Sequence, residues 1–173
     1  MKKYVAHIIL GLLFSIIILS FKPFNMKLLK INIPAVEIKT LEGKPFNAAN
    51  IGSTSKPTLL VFWATCCAPC KKELSSISKV YKEWKNKTGI EVVAVSVDLP
   101  QYINEVKPFI EANNWNFKVY LDVERNLMKA MNAYSTPHSF LIDKKGEVIW
   151  DKQGFVNGDE TLIYQKILEV IKY

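Results

Sequence analysis

Two unbroken apolar runs set the frame for this chain: Thr58-Leu-Leu-Val-Phe-Trp63 and Glu91-Val-Val-Ala-Val-Ser-Val97. Apolar runs of strand length without alternation belong to strands covered on both faces, as in a central parallel sheet. Between them, from Cys67 to Asn86, the residues Leu74, Ile77, Val80, Tyr81 and Trp84 recur at helical spacing on one face. A buried strand, an amphipathic helix and a second buried strand form a β-α-β unit, which closes a parallel pair through a right-handed crossover. The fold class is therefore α/β. At 173 residues the chain is long enough for one domain with its own core, so no disulfide is needed to hold it together.

The flanking segments extend this unit into a mixed sheet. Val36-Glu37-Ile38 alternates, Glu42-Gly43-Lys44 supplies a turn and Pro45-Phe46 resumes, which predicts two short strands within residues 34–50. Gln101–Asn113 reads as a helix, Lys118–Leu121 as a short strand and Leu127–Asn132 as a short helix that ends before Ser135-Thr136-Pro137. Ser139–Ile142 and Glu147–Trp150, joined by the turn Lys144-Lys145-Gly146, predict a β-hairpin, and Asp159–Lys172 a closing amphipathic helix. No internal repeat or low-complexity segment interrupts this order, so residues 31–173 read as one domain behind an N-terminal segment, residues 1–30.

That segment carries most of the charge asymmetry. The formal net charge is +7, but Lys2, Lys3, Lys22, Lys27 and Lys30 precede any acidic residue, leaving 18 basic against 16 acidic residues in the body. A basic nucleic-acid-binding stripe is thereby not supported. Residues 4–21 include 14 apolar side chains among 18 and no full charge. At about 1.5 Å rise per residue such a helix spans roughly 27 Å, enough for a hydrocarbon core. The apolar stretch is long for a signal peptide, and the best cleavage candidate, Ser20 with Ile18 at the −3 position, lacks a small-x-small pattern. An uncleaved signal anchor is favoured, with a cleaved signal peptide as the alternative. No cysteine follows to make a lipoprotein site. Lysines on both sides leave the orientation open, and His7, near the charged end, reads as a snorkelling residue rather than a functional one.

The chemistry is concentrated in three cysteines within five residues, Cys66, Cys67 and Cys70. Cys67-Ala68-Pro69-Cys70 is a C-x-x-C placed where a buried strand turns into a helix. A helix N-terminus presents unpaired N–H groups and positive partial charge, which lower a thiol pKa and favour the thiolate. Cys67 is then the exposed nucleophile and Cys70, one turn inside, the resolving thiol. Pro69 loses no hydrogen bond at this position and stiffens the turn. Zinc would need four ligands, and outside residues 1–30 only three cysteines and His138 are offered. A bridge over so short a loop would constrain little of the unfolded chain. Redox chemistry is the reading that remains.

Trp63-Ala-Thr-Cys-Cys-Ala-Pro-Cys-Lys-Lys-Glu73 resembles the active-site stretch of thioredoxin-like disulfide oxidoreductases of the TlpA/ResA type, whose pattern is W-x-x-W-C-x-P-C-x-x-E. The resemblance extends over residues 34–173. It includes the opening Pro34-Ala-Val-Glu-Ile-Lys-Thr-Leu-Glu-Gly-Lys44, the stretch from Asp98 to Lys118, and Ser135-Thr-Pro-His-Ser-Phe-Leu-Ile-Asp143. It implies a thioredoxin-like fold, a central mixed β-sheet flanked by helices, with an N-terminal β-hairpin and a helix-containing central insertion. It implies that Cys67 and Cys70 are the redox pair, that Pro137 is a cis-proline facing their disulfide, and that the backbone of Thr136 pairs with a bound peptide. Trp63 and His138 are expected in the substrate groove, and no metal or cofactor is called for. Glu73 matches an acidic residue that ResA-like members keep near the cysteines. Its alternative is an exposed helical glutamate among Lys71, Lys72 and Lys79. Thioredoxin itself buries an aspartate six residues before the first cysteine; here that position is Val61, which favours a working Glu73.

The departure from the family is Cys66, where tryptophan is usual. It is either a tolerated substitution or a third working thiol. Cys66-x-x-x-Cys70 is also the spacing of copper-binding Sco-like proteins, with His138 as the distant ligand. A peroxiredoxin would require P-x-x-x-T-x-x-C, which is absent. The resemblance implies a thiol–disulfide oxidoreductase acting on protein thiols and disulfides, in the reductive direction. Its setting would be the extracytoplasmic face of a bacterial membrane, fed by a membrane-bound thiol donor, or the periplasm if the segment is cleaved. The family's roles include keeping apocytochrome c thiols reduced. A Sco-like copper chaperone or a redox sensor built on Cys66, Cys70 and His138 is the competing expectation.

Overall fold

The two apolar runs lie side by side as parallel strands, β4 (Thr58–Trp63) and β5 (Glu91–Ser96), in register from Thr58↔Glu91 to Trp63↔Ser96. All six residues of β4 are buried, as the lack of alternation requires. The structure is a computed structural model and describes residues 31–53 and 55–172. The expected membrane span at residues 4–21 lies outside the described residues; among those described, no helix is long and apolar enough to cross a membrane.

Between β4 and β5 runs α1 (Ala68–Thr88), capped by Cys67 and ended by Gly89 in the left-handed region, φ 72°, where its N–H reaches the carbonyl of Lys85. Only a residue without a Cβ takes that conformation at no steric cost. After β5 comes α2 (Ile103–Ala112), preceded by a single 3-10 turn at Pro100–Tyr102, and then β6 (Lys118–Leu121), parallel to β5. This is the helix-containing insertion expected between Asp98 and Lys118. The short α3 (Asn126–Ala130) leads to the antiparallel pair β7 (His138–Ile142) and β8 (Glu147–Gln153), and α4 (Asp159–Ile171) closes the chain.

The N-terminal hairpin, β2 (Glu37–Thr40) and β3 (Pro45–Asn47), joins the sheet through β6. Sequence patterning did not reveal β1 (Ile31–Asn32), two residues that pair antiparallel with β8. The eight strands run β1-β8-β7-β4-β5-β6-β2-β3 in one mixed sheet, as a thioredoxin-like fold with added N-terminal strands requires.

Two cores form on its faces. Leu74, Ile77, Tyr81 and Trp84 of α1, Val106 and Ile110 of α2, and Ile163 and Ile167 of α4 pack on one side against Leu59, Val61 and Trp63. Leu60, Phe62, Val95 and Phe140 meet Leu127, Met128, Ile33, Ile38 and Ala48 on the other. Strand alternation decides which side chain belongs to which core. The C-terminal ends of β4 and β5 and the N-terminal end of β7 meet at one edge, and there the cysteine motif sits.

Candidate active site

After Trp63 the chain turns through Thr65 and Cys66, and the N–H of Cys67 donates to the carbonyl of Ala64 at 3.0 Å. Asp98, just past the end of β5, holds this turn. Its carboxylate accepts the N–H of Thr65 on both oxygens at 3.0 Å, the Thr65 hydroxyl at 2.6 Å and the Ser96 hydroxyl at 2.8 Å. The parallel register Trp63↔Ser96 brings these groups together over 33 residues of sequence. In the sequence Asp98 marks only the start of the insertion. The available signal was an acid directly after a buried strand, at the carboxyl edge of a parallel pair, where α/β sheets place their sites.

Cys67 is the N-cap of α1, and its sulfur accepts the N–H of Cys70 at 3.2 Å. The two are joined as a disulfide with Cα atoms 5.3 Å apart, so the structure shows the oxidised state. Cys70 is fully buried, whereas Cys67 is half-buried rather than freely exposed. The first turn of α1 carries no acid. Free N–H groups and the helix dipole therefore act on the Cys67 sulfur with no acid in that turn to oppose them, which favours a thiolate after reduction.

Glu73 lies one turn beyond Cys70 on the same buried face and is only 1% exposed. The alternative of a solvated glutamate among lysines is therefore overturned. One carboxylate oxygen, Oε1, accepts the hydroxyl of Ser139 at 2.6 Å; Oε2 is buried and has no hydrogen-bond partner among the described residues. Burial raises the Glu73 pKa to about 7, against the Ser139 hydrogen bond and the Lys152 charge, which favour the ionised form. Ser139 is the cross-strand partner of Val61. The helix thus delivers a carboxylate to the face of the sheet where Val61 stands in place of thioredoxin's aspartate.

The Thr136–Pro137 peptide bond is cis. His138 pairs with Phe62, so Pro137 falls at the edge where β4 gives way to the cysteine turn. The carbonyl of Pro137 accepts the N–H of Gly154, while the backbone of half-buried Thr136 makes no hydrogen bond among the described residues. Trp63 and His138 do not line a groove. Trp63 is fully buried against Trp115 and Phe109. His138 is buried, stacks on Phe140 and shares a hydrogen bond of 2.9 Å with Asp151 through Nε2. Because Ser139 faces α1, its neighbour His138 points to the opposite face of the sheet. Cys66, Cys70 and His138 therefore form no copper site. Among the described residues no three His, Cys, Asp or Glu side chains are grouped to hold a metal ion. Cys66 is an exposed free thiol.

The comparisons with known proteins agree with this geometry. Residues 30–151 match the model of the AhpC/TSA family. The chain belongs to that family. Over 130 residues it is 35% identical to sporulation thiol-disulfide oxidoreductase A of Bacillus subtilis, covering 74% of this chain and 76% of that protein. It is 33% identical over 133 residues to the thiol-disulfide oxidoreductase ResA of Bacillus thuringiensis, covering 77% and 74%. Among solved structures, a thioredoxin-like protein from Porphyromonas gingivalis superposes with a TM-score of 0.73 at 35% identity, covering 81% of this chain and 92% of that one. Within this thioredoxin-like family, the Cys67–Cys70 pair makes the chain a thiol–disulfide oxidoreductase of the ResA type.

Proposed function

We propose that this protein reduces disulfides in other proteins on the extracytoplasmic side of a bacterial membrane, tethered by residues 4–21 and re-reduced by a membrane-bound thiol donor. The observation that carries the exchange chemistry is the redox disulfide at the start of α1 with the buried Glu73 carboxyl one turn beyond it, and the reductive direction is what the resemblance implies. In the reduced protein the Cys67 thiolate attacks a substrate disulfide, forming a mixed disulfide and releasing one substrate thiolate. The Cys70 thiol then passes its proton to the Glu73 carboxylate and attacks the Cys67 sulfur. The second substrate thiolate leaves, and two electrons have moved from the protein to the substrate. With its pKa near 7, Glu73 can accept and return a proton at neutral pH. The unpaired backbone of Thr136 suits an extended substrate segment laid beside the cis-proline. Keeping cytochrome c thiols reduced for haem attachment is one such task.

Insulin reduction tests this reading: wild type should turn over with a dithiol donor and Cys67→Ser should not. A Cys67→Ser protein with wild-type turnover would overturn the assignment of the nucleophile. Removal of residues 1–30 should shift the protein from the membrane to the soluble fraction. Full-length protein recovered only as a soluble species about 20 residues shorter would show a cleaved signal peptide instead.

A further inference from the structure

Glu73 is enclosed by elements that each bring one polar or charged group to it. From β7 comes the Ser139 hydroxyl. From β8 comes Lys152, directly across the strand pair from Ser139 and on the same face. From α4 comes Asp159, whose carboxylate binds the Lys152 ammonium and the N–H of Val156. Its own helix contributes Cys70 one turn back. Lys152 also donates to the carbonyl of Gly154 at 2.8 Å, and Lys152 and Asp159 are only 22% and 12% exposed, so the pair is held in place.

We propose that Ser139, Lys152 and Asp159 are positioning residues for Glu73, setting the pH range in which its carboxyl can take the proton of the resolving thiol. The inference rests on the reading of Glu73 as the proton partner of Cys70. The Ser139 hydroxyl donates to Oε1, and a carboxylate accepts that bond better than a carboxylic acid does. The ammonium of Lys152 favours the ionised form and the carboxylate of Asp159 opposes it. Paired, they oppose each other at Glu73. Removing either charge leaves the other uncompensated beside a buried carboxyl, so the two substitutions act with opposite sign. A purely structural ion pair has no such signature, because breaking it from either side destabilises alike.

The test is the titration midpoint of the Glu73 carboxyl, read by carbon NMR in the full oxidised chain in a non-ionic detergent. Ser139→Ala and Lys152→Gln should each raise the midpoint by roughly one pH unit, and Asp159→Asn should lower it by a similar amount. Ser139→Thr, which keeps the hydroxyl, should restore the wild-type value. In the reduced Ser139→Ala protein, on a Cys66→Ala background, the pH profile of thiol alkylation should move to lower pH, because a carboxyl that stays neutral to higher pH opposes the Cys70 thiolate less. If Asp159→Asn fails to fold, Lys152→Gln decides alone: a rise supports the proposal, and no change or a fall overturns it. A midpoint unmoved by Ser139→Ala, or moved the same way by Lys152→Gln and Asp159→Asn, also overturns it. Insulin turnover is recorded on the same samples. An unmoved midpoint in an active enzyme defeats this inference alone, whereas shifting midpoints in a wild type without turnover defeat the reductase reading.

Discussion

Replacing Glu73 with glutamine removes one ionisation from the most enclosed acid of the site, and its consequence for stability has a definite sign. The carboxyl is raised from an ordinary 4.5 to about 7, chiefly by burial. Between those values the native protein holds a proton that the unfolded chain has released, so stability falls as pH rises through this window. Below 4.5 both states are protonated and nothing is lost; above 7 both are ionised and the full cost is present. At 1.36 kcal/mol per pH unit the cost amounts to about 3 kcal/mol. Glu73→Gln carries a different, pH-independent cost of about 1–3 kcal/mol, because its amide replaces the unpartnered Oε2 in a buried place. The slope separates the two. Urea unfolding of wild type and variant, disulfide intact, at intervals from pH 4.5 to 8.5, should show the wild type losing about 3 kcal/mol relative to the variant. Taking the difference cancels the other titrating groups. Parallel curves would refute both the burial of Glu73 and its capacity to exchange protons near neutrality.

Cys70→Ser should accumulate a mixed disulfide between Cys67 and its substrate, visible by mass spectrometry; free release of product would show that another thiol resolves it. Cys66→Trp, which restores the family residue at an exposed position, should leave insulin turnover within a few-fold of wild type, and peptide mapping of the oxidised wild type should find Cys66 free. A Cys66–Cys70 bond in that map would make Cys66 a working thiol. Asp98→Ala strips the partners of the Thr65 N–H, the Thr65 hydroxyl and the Ser96 hydroxyl. It should cost about 2–4 kcal/mol and loosen the turn before Cys67, lowering turnover as well as the melting temperature. A melting temperature within about one degree of wild type would show that the turn holds without it.

The features legible in the sequence are those written into neighbouring residues. Unalternating runs announced β4 and β5 because a strand covered on both faces has no polar side. The placement of Cys67 and Cys70 followed from a local junction, a strand end meeting a helix start, so a redox pair at the start of α1 was expected and the disulfide is present; that Cys67 caps the helix is seen only in the structure. Residues whose role depends on a distant partner were not legible in the same way. Glu73 stands among lysines and fits a solvated helix face; only the seating of α1 on the sheet buries it against Ser139, 66 residues away. Strand side chains alternate, so a register shift of one residue would exchange the faces of Ser139 and His138. The observed pairing of Val61 with Ser139 sends the serine toward Glu73 and the histidine to the far side, to Asp151. The Lys152–Asp159 pair and the hold of Asp98 on Thr65 likewise exist only after β8, α4 and β5 have docked. Periodicity and local chemistry select the elements and the nucleophile. The charges and hydrogen bonds that surround the nucleophile come from long-range packing, since each requires two chain segments whose contact no local pattern encodes.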